Sequence, residues 1–487
     1  MNFASEVVDA ADPERLALLE LARDGTRREW TFGEVAAASK AFASALAQLG
    51  VRRGDAVMTL VGNRPDWVIT LVACWRIGAV ALPCSEQLRA GDIQTRLTAA
   101  AVRAVVCDER NTETLQSALA QDGSAVPTLI VGGPAAVRPS AAPSSEDWPE
   151  LAAEDPALII FTSGTTGNAK GIVHGTGYLF GQQLQATEWL APKAGDLVWC
   201  TAASGWSKAA RNTFIAPWLR GAAGLLHDAR FDPHDRLEIV ERERVNVLCM
   251  APTEYRVIAK HATLRAFPDL HALVAAGEAL DPDALRAWRQ ATGLDVRDGY
   301  GQTETGQLTA NPAGVPARPS SMGRPLPGVR LEVVEGELVL ADPTTDPTFF
   351  VGYLDGTPAP RDRPWHTGDL VRVDDDGYLY FEGRHDDVII SAGYRIGPFE
   401  VESALLSHAA VADAGVVAAP DTERGSVVRA VVVLRDGFAP SDALVTELQE
   451  HVKNVTAPYK YPRVLEFSDE LPKTASGKIQ RALLRQL

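Results

Sequence analysis

Cysteine is scarce in this chain of 487 residues, and its five cysteines, at positions 74, 84, 107, 200 and 249, form no Cys-x-x-Cys pair. An odd, scattered set of cysteines argues against a disulfide-framed domain and indicates reduced thiols. Neither the cysteines nor the nine histidines have the spacing of zinc ligands, so we expect no structural metal. The expected location is the cytoplasm.

Long apolar runs are also lacking. The longest stretch, Trp67 to Cys84, contains Arg76 and is too short and too polar to cross a bilayer, so no membrane span is predicted. The first residues show neither the basic start nor the apolar core of a signal peptide, and we expect none.

Basic residues are outnumbered, with 47 Lys and Arg against 63 Asp and Glu and a formal net charge of −16. Nucleic acid is therefore excluded as the main partner, because binding to its phosphate backbone needs a basic face. A small anionic ligand stays compatible with this charge, since a local basic site can oppose it.

What the sequence does contain is an ordinary globular composition, with 46% hydrophobic residues, and alternating strand and helix patterns. Thr31 and Glu34 form a predicted capping box for a helix that ends before Gly50. A strand over 55–61 and a helix from Pro65 to Val80 follow. Strand–helix–strand order at this spacing predicts a large N-terminal domain of layered α/β sheets over residues 1–385.

The last hundred residues form a separate small pattern. A hairpin over 371–381, with its turn at Asp376-Gly377, precedes the predicted boundary at Asp386. Residues 386–487 then alternate strand and helix and are expected to form a small, mobile α+β domain.

A strand at Ala157–Phe161 leads directly into Thr162-Ser-Gly-Thr-Thr-Gly-Asn-Ala-Lys-Gly171. Glycines let backbone N–H groups approach phosphate oxygens, the hydroxyls add donors, and Lys170 adds a positive charge. The spacing is not that of a Walker A loop, in which the second glycine directly precedes the lysine. Taken alone, this segment fits a phosphate-binding loop and a flexible surface loop equally well.

Five further segments decide between these two readings. They are Gly277-Glu278-Ala279, Asp298-Gly-Tyr-Gly-Gln-Thr-Glu304, Trp365-His-Thr-Gly-Asp369, the run from Gly383 to Gly397, and Pro472-Lys-Thr-Ala-Ser-Gly-Lys478. In this order they resemble the adenylate-forming superfamily of acyl-CoA synthetases, adenylation domains and luciferases. The segments Trp199–Trp206, Ala251–Thr253 and Tyr459–Arg463 look most like the medium-chain acyl-CoA synthetases.

The resemblance implies a ligase in which a carboxylate attacks the α-phosphorus of ATP and coenzyme A then takes the acyl group. The task of such a protein is positioning and charge neutralisation. The cofactors implied are ATP, Mg²⁺ and coenzyme A, and the substrate is a small carboxylic acid, medium-chain or aromatic.

The same resemblance assigns roles to individual residues. Glu304 is expected to bind Mg²⁺, Thr303 to contact the α-phosphate, and Tyr300 to stack on adenine. The β- and γ-phosphates are assigned to Thr162, Ser163, Gly164, Thr165, Thr166, Gly167 and Lys170. The remaining nucleotide-binding residues are Gly277, Glu278, Ala279, Asp298, Gly299, Gly301, Gln302, Asp369, Arg384 and Arg395.

Two C-terminal residues are expected to act in the two half-reactions, adenylation and thioester formation. Lys478 is expected to bridge the carboxylate and the α-phosphate during adenylation. Asp386 is the expected hinge about which the small domain rotates, and the loop containing Arg395 is then expected to face the coenzyme A tunnel.

The segment Gly205-Trp-Ser-Lys-Ala-Ala-Arg211 departs from the family pattern, because relatives usually carry an aromatic residue or histidine there. Arg211 is either a cation facing the acid or coenzyme A, or the partner of an acidic neighbour, and buried arginines are usually paired. Trp206, Phe214, Trp218 and Thr253 are candidates for the pocket wall or for plain core.

Two alternatives to the acid–CoA ligase remain at this point. A free-standing enzyme that loads the acyl group onto a carrier protein shares every motif and differs only in the acceptor. A catalytically inactive adenylate-binding protein is disfavoured, because it has no need for Lys170, Glu304, Arg384 and Lys478 together.

Overall fold

The computed structural model describes residues 1–121, 123, 125–132, 148–162, 170–277, 282–391, 394–422, 424–473 and 479–486; at positions 386 and 395 it describes the backbone. The chain divides into two compact units. Unit 1 comprises Met1–Arg330 and Asp342–Arg363, and unit 2 comprises Leu331–Ala341 and Pro364–Leu487.

The strands within the described residues are, in chain order, β1 (Leu16–Leu21), β2 (Arg27–Thr31), β3 (Ala56–Leu60), β4 (Val80–Cys84), β5 (Ala104–Asp108), β6 (Thr128–Val131), β7 (Pro156–Thr162), β8 (Lys170–Gly175), β9 (Leu197–Cys200), β10 (Ala223–His227), β11 (Val247–Met250), β12 (Ala272–Ala276), β13 (Val296–Tyr300), β14 (Thr309–Ala310), β15 (Arg324–Pro325), β16 (Leu331–Val334), β17 (Glu337–Leu340), β18 (Gly352–Tyr353), β19 (Trp365–Val373), β20 (Leu379–Arg384), β21 (Ile389–Ser391), β22 (Tyr394–Ile396), β23 (Val411–Asp421), β24 (Gly425–Leu434) and β25 (Val464–Phe467).

The α-helices within the described residues are α1 (Phe32–Gln48), α2 (Pro65–Ile77), α3 (Ala90–Ala99), α4 (Thr112–Ala120), α5 (Thr176–Gln185), α6 (Ser207–Ala210), α7 (Ala216–Leu219), α8 (Pro233–Arg242), α9 (Pro252–His261), α10 (Pro282–Thr292), α11 (Pro398–Leu406), α12 (Asp442–Val455) and α13 (Arg481–Leu484). In the part of the chain that the structure describes, none of these helices is long and apolar enough to cross a membrane.

Unit 1 is built on two large sheets. The first has nine strands in the order β15-β14-β13-β12-β11-β9-β10-β1-β2, and the second has seven in the order β18-β8-β7-β4-β3-β5-β6. From β13 to β1 the neighbouring strands of the first sheet run parallel, so their carboxyl ends share one edge. Ligands of open α/β sheets bind at this edge, outside the carboxyl ends of the strands.

Unit 1 has an apolar core in which aromatic side chains of α2 pack against the segment around α7. The Phe214 ring lies edge-on to Trp67, stacks on Trp75 and tilts against Trp218, with ring-centre separations of 4.9–5.9 Å. All four side chains are buried. This cluster fixes the position of the turns that follow β9.

Local signals in the sequence set the ends of the first two long helices. The capping box at Thr31 and Glu34 is confirmed: the Thr31 hydroxyl accepts from the Glu34 N–H, and the Glu34 carboxylate accepts from the Thr31 N–H. The prediction that the second helix reaches Val80 is wrong. Gly78, in the left-handed conformation that glycine adopts without strain, ends α2, and Val80 begins the buried strand β4.

Arg76 is a fully buried cation of unit 1, and Asp9 pairs with it. Two nitrogens of the guanidinium bind the two oxygens of the Asp9 carboxylate at 2.6 and 2.9 Å, and Ser39 lies 3.0 Å from one of them. A bidentate pair of this kind fixes the N-terminal segment against α2.

Replacing Asp9 by Ala is expected to lower the free energy of unfolding by roughly 3–5 kcal/mol, because it leaves a buried guanidinium without a carboxylate. Urea unfolding followed by circular dichroism measures this loss. Glu14→Ala, at an exposed position, is the control and should change stability little. A change for Asp9→Ala no larger than that of the control would contradict the assigned pairing.

Unit 2 contains three sheets, ordered β16-β17-β19-β20, β21-β22 and β23-β24-β25, with α11 and α12 alongside them. The predicted hairpin is confirmed, because β19 and β20 pair antiparallel around a turn at Asp374–Tyr378. The predicted fold class, a large layered α/β unit and a smaller α+β unit, is confirmed. The start of a mobile domain at Asp386 stays a prediction.

Candidate functional site

The predicted phosphate loop connects two paired strands of the seven-stranded sheet. Thr162, at the end of β7, is the cross-strand partner of Lys170, at the start of β8. The hairpin therefore brings these two residues side by side at the ends of the loop. Ser163, Gly164, Thr165, Thr166 and Gly167 lie outside the described residues, and their roles stay predictions.

The segment after β13 forms a tightly closed turn that presents Thr303 and Glu304. Gly306 N–H donates to the Gln302 carbonyl at 2.9 Å, and Leu308 N–H donates to the Tyr300 carbonyl at 2.8 Å. A Cβ atom at Gly301 would lie 1.7 Å from the Gly306 carbonyl oxygen, so only glycine fits there. Gln302 N–H also donates to the Thr305 hydroxyl at 3.0 Å.

A second segment, around β18, holds this turn in place through hydrogen bonds to two of its backbone carbonyls. Phe350 N–H donates to the Glu304 carbonyl at 2.8 Å, and the Thr348 hydroxyl lies 2.6 Å from the Thr305 carbonyl oxygen. Both contacts involve the backbone of the turn. The Glu304 side chain can therefore be changed without breaking them.

Tyr353 links the phosphate-loop hairpin to Glu304. The Lys170 ammonium lies 5.6 Å from the centre of the Tyr353 ring, a cation–π distance. Burial raises the pKa of Tyr353 to about 12, and the neighbouring Glu304 carboxylate adds to the rise. The predicted phosphate-binding lysine and the predicted Mg²⁺ ligand thus both act on one tyrosine.

Asp298 and Gly277 lie at the carboxyl ends of the adjacent strands β13 and β12. The buried Asp298 carboxylate accepts from the Gly299 N–H at 2.8 Å, and burial raises its pKa well above the usual range. Gly277 directly follows β12, whereas Glu278 and Ala279 lie outside the described residues. The three predicted adenine-site elements that are described (Gly277, Asp298 and Tyr300) therefore share one sheet edge.

Asp346 contacts the Glu304 turn indirectly, through the hydroxyl of Thr348. The Thr348 hydroxyl lies 2.6 Å from the Thr305 carbonyl and 2.7 Å from an Asp346 carboxyl oxygen. The hydroxyl and the N–H of Thr348 both face the same Asp346 carboxyl oxygen. Burial raises the pKa of Asp346 to about 7, and these hydrogen bonds from Thr348 oppose the rise.

We expect this carboxyl group to make unit 1 less stable as the pH rises. Its pKa is about 7 in the folded chain and 3.8 in the unfolded chain, so the folded state holds the proton more tightly. The stabilisation is complete below pH 3.8 and is lost as the pH rises through about 7, a change on the order of a few kcal/mol.

Comparing Asp346→Asn with the parent isolates this effect, because the amide does not titrate. The stability difference between variant and parent should shift in favour of the variant between pH 4 and about 7 and then stay constant. Urea unfolding at several pH values measures it. A pH-independent difference would contradict the raised pKa.

In unit 2, Asp369 and Arg384 occupy paired positions on β19 and β20. They are register partners, and an Arg384 guanidinium nitrogen lies 3.3 Å from an Asp369 carboxylate oxygen. Asp369 is buried and Arg384 is half-buried. The two residues expected to bind the ribose hydroxyls therefore contact each other, in a setting less exposed than a surface ion pair.

Three predicted site residues have no described side chain. Lys478 is outside the described residues. Asp386 lies in a short 3₁₀ turn, His385–Asp387, and Arg395 lies on β22, each with only its backbone described. Their predicted roles stay predictions.

The candidate pocket residues separate into two groups. Phe214 and Trp218 belong to the aromatic core, which is the second of the two readings given to them. Trp206 and Thr253 are partly exposed, at the start of α6 and in the first turn of α9, and Arg211 is buried one turn beyond Trp206. We keep Trp206, Thr253 and Arg211 as pocket candidates.

Three residues of this region were not selected from the sequence. Tyr353 lies in the segment Phe349-Phe350-Val351-Gly352-Tyr353. A tyrosine at the end of such an apolar run gives no sign of a functional role in the sequence. His174 is the last polar side chain of β8, and Lys208 lies inside the segment quoted for Arg211. Only the spatial neighbourhood of the loop and the strand ends singles them out.

Comparison with known proteins gives two family matches. The AMP-binding enzyme family matches residues 6–344, and the AMP-binding enzyme C-terminal domain matches residues 400–478. An uncharacterized acyl–CoA ligase of Bacillus subtilis, YtcI, is 38% identical to this chain over 504 residues. The alignment covers 98% of this chain and 94% of YtcI.

Two further proteins extend the comparison. The mitochondrial acyl-coenzyme A synthetase ACSM4 of Mus musculus is 38% identical over 521 residues, covering 99% of this chain and 90% of its own. The crystal structure of the anthranilate CoA ligase AuaEII, in complex with anthranoyl-AMP, superposes with a TM-score of 0.88 at 28% identity, covering 100% of this chain and 97% of its own.

Proposed function

Because this chain belongs to the family of AMP-binding enzymes, we propose that it is an ATP-dependent carboxylic acid–CoA ligase. It forms an acyl-adenylate and pyrophosphate from the acid and ATP, and then an acyl-CoA thioester and AMP. The observation that carries this proposal is that the Lys170 ammonium lies 5.6 Å from the ring centre of Tyr353, whose pKa the Glu304 carboxylate raises.

The arrangement around Tyr353 fits a magnesium-bound polyphosphate. Lys170 supplies a positive charge beside the phosphate-loop hairpin, and the Glu304 carboxylate supplies a hard oxygen ligand of the kind that Mg²⁺ binds. When bound, Mg²⁺ neutralises the phosphate charge that develops during displacement at the α-phosphorus. Thr303, one residue before Glu304, is the donor proposed for the α-phosphate.

The adenosine is assigned to the carboxyl ends of β12 and β13 and, in unit 2, to Asp369 and Arg384. Tyr300 ends β13 and supplies an aromatic face for the base, beside the buried Asp298. Gly277, Glu278, Ala279, Gly299, Gly301 and Gln302 complete this proposed part of the site. Lys478 is proposed to bridge the carboxylate and the phosphate, and Arg395 to help bind the nucleotide.

Coenzyme A is the proposed acceptor, in preference to a carrier protein. The curated relatives that match nearly the whole chain are named as acyl–CoA ligases or acyl-coenzyme A synthetases. The proposed acid is medium-chain or aromatic: the resemblance of the sequence motifs supports both classes, and the structural similarity to an anthranilate CoA ligase supports the aromatic class. A cytoplasmic location belongs to the proposal, since all five cysteines are free thiols, as expected in a reducing compartment.

Pyrophosphate release with ATP and Mg²⁺ tests the proposal across short, medium, branched and aromatic acids, with and without coenzyme A. We expect acid-dependent release that reaches many turnovers only when coenzyme A is present. Acid-dependent release that coenzyme A fails to accelerate would favour the carrier-protein acceptor instead. No release with any acid would refute the ligase function.

A further inference from the structure

Arg211 begins an unusual turn of the backbone beside the proposed acid site. The chain passes from α6 directly into a π-helical turn at Arg211–Ile215. Such turns are rare and occur often at functional sites. The Arg211 residue is only 6% exposed, so its guanidinium is removed from water.

No carboxylate compensates this buried charge among the residues that the structure describes. The Arg211 side chain forms no ion pair with them, and its Nε has no hydrogen-bond partner. The acidic neighbour expected from the sequence is therefore not found. Tyr178, His174 and Cys249 are the neighbouring groups on which its charge acts.

These three neighbours are neutral at physiological pH. Burial lowers the pKa of His174 to about 3, so its ring carries no charge. Burial raises the pKa of Tyr178, and hydrogen bonding with Cys200 together with burial raises that of Cys249. An uncompensated buried guanidinium costs several kcal/mol, and a bound anion would offset that cost.

Lys208 places a second positive charge on the same wall. Its ammonium donates to the Ala276 carbonyl at 3.2 Å and lies 3.8 Å from where a Gly277 Cβ atom would be. Lys208 forms no ion pair within the described part of the chain. Both Lys208 and Arg211 act electrostatically on Cys249, which is the register partner of Cys200 in the pairing of β11 with β9.

This cationic wall, formed by Lys208 and Arg211, adjoins the reacting end of the proposed site. Lys208 reaches the end of β12, next to Gly277. The charge of Arg211 acts on His174, a buried residue of β8 near the backbone of Thr303, the residue assigned to the α-phosphate. An acid held for attack on that phosphate therefore extends along the two cations.

We propose that the acid substrate carries a second carboxylate, which binds Arg211 while the first carboxylate is activated. This inference rests on the proposed ligase function and narrows its substrate class to medium-chain or aromatic dicarboxylic acids. The planar guanidinium suits bidentate binding of a carboxylate, and Lys208 adds attraction for the dianion. A plain alkyl tail would instead leave the buried guanidinium without a partner.

Acid-dependent AMP formation, measured for matched pairs of acids, tests this inference. Each pair has equal length and differs in one carboxylate, with straight-chain acids of six to ten carbons and benzoate against its dicarboxylate analogues. For the parent we expect kcat/KM to favour the diacid by on the order of thirtyfold or more.

Arg211→Leu should reverse this preference, lowering kcat/KM for the diacid while maintaining or raising it for the monoacid. A reversed ratio cannot arise from general misfolding, which lowers both values. Arg211→Lys should retain part of the diacid preference, because it keeps the charge but loses the bidentate geometry. Lys193→Met, which removes an exposed cation of unit 1, is the control and should leave the ratio unchanged.

Several results would overturn the inference. One is a parent enzyme that uses monoacids as well as diacids. Another is an Arg211→Leu variant whose kcat/KM falls by the same factor for the diacid and the monoacid, which would assign Arg211 to the reacting carboxylate. A third is an Arg211→Leu variant in which only the KM for coenzyme A changes. In each of these cases acid-dependent AMP formation still occurs and the ligase function stands, whereas no AMP formation with any acid refutes the function itself.

Discussion

Glu304→Gln should lower kcat/KM for acid-dependent pyrophosphate release by about a hundredfold to a thousandfold, and raise the Mg²⁺ concentration needed for half-maximal rate. The neutral amide is a weaker Mg²⁺ ligand than the carboxylate and offsets less charge on the polyphosphate. Because Glu304 is held through its backbone carbonyl by Phe350, the substitution leaves the turn itself in place.

A Mg²⁺ titration of the initial rate, run beside a thermal melt, separates a lost ligand from a lost fold. Glu238→Gln, on the exposed face of α8, is the matched control and should behave as the parent does. A Glu304→Gln enzyme with the parent's rate and the parent's Mg²⁺ dependence would remove Glu304 from the proposed site.

Asp386→Pro should leave adenylation within a few fold of the parent and lower thioester formation by at least about a hundredfold. Proline fixes φ and removes the backbone N–H, so a residue that must change its backbone conformation between half-reactions can no longer do so. Asp386 lies in the short 3₁₀ turn His385–Asp387.

The two half-reactions are measured separately, as acid-dependent pyrophosphate exchange and as acyl-CoA formation. Asp386→Ala is the matched control: it removes the carboxylate but keeps the backbone free, and both half-reactions should then continue. Normal thioester formation by the proline variant would show that the hinge lies elsewhere.

Much of the local structure could be predicted because it depends on neighbours in the sequence. The Thr31 capping box and the hairpin around Asp376-Gly377 each follow from residues a few positions apart. The continuous apolar run from Trp67 to Cys84 was harder to divide. Its periodicity does not separate a buried helix from a buried strand, and the break at Gly78 decides between them.

Long-range pairing could not be predicted in the same way. Leu18 on β1 lies opposite Gly224 on β10, two segments that are far apart in the chain. Similarly, the sequence motifs gave Lys170 and Glu304 their expected roles, but no spacing rule predicts that Tyr353 interacts with both. That contact depends on β18 pairing with β8, as the register Tyr353↔Ile172 shows.

The surroundings of Arg211 could not be predicted from the sequence either. The sequence left two interpretations of Arg211 open, a cation facing the acid or coenzyme A and the partner of an acidic neighbour, and most buried arginines are paired. The structure surrounds it with a tyrosine, a neutral histidine and a thiol instead. Whether a buried charge is compensated depends on residues from several strands and helices, which no single segment reveals.

The central claim is that the carboxylate of the acid attacks the α-phosphorus of ATP. The most direct test uses an acid labelled with ¹⁸O in its carboxylate, with mass spectrometry of the nucleotide and phosphate products after turnover with coenzyme A. The proposed function predicts one ¹⁸O atom in AMP and none in pyrophosphate. Label in inorganic phosphate, with ADP as the nucleotide product, would contradict it.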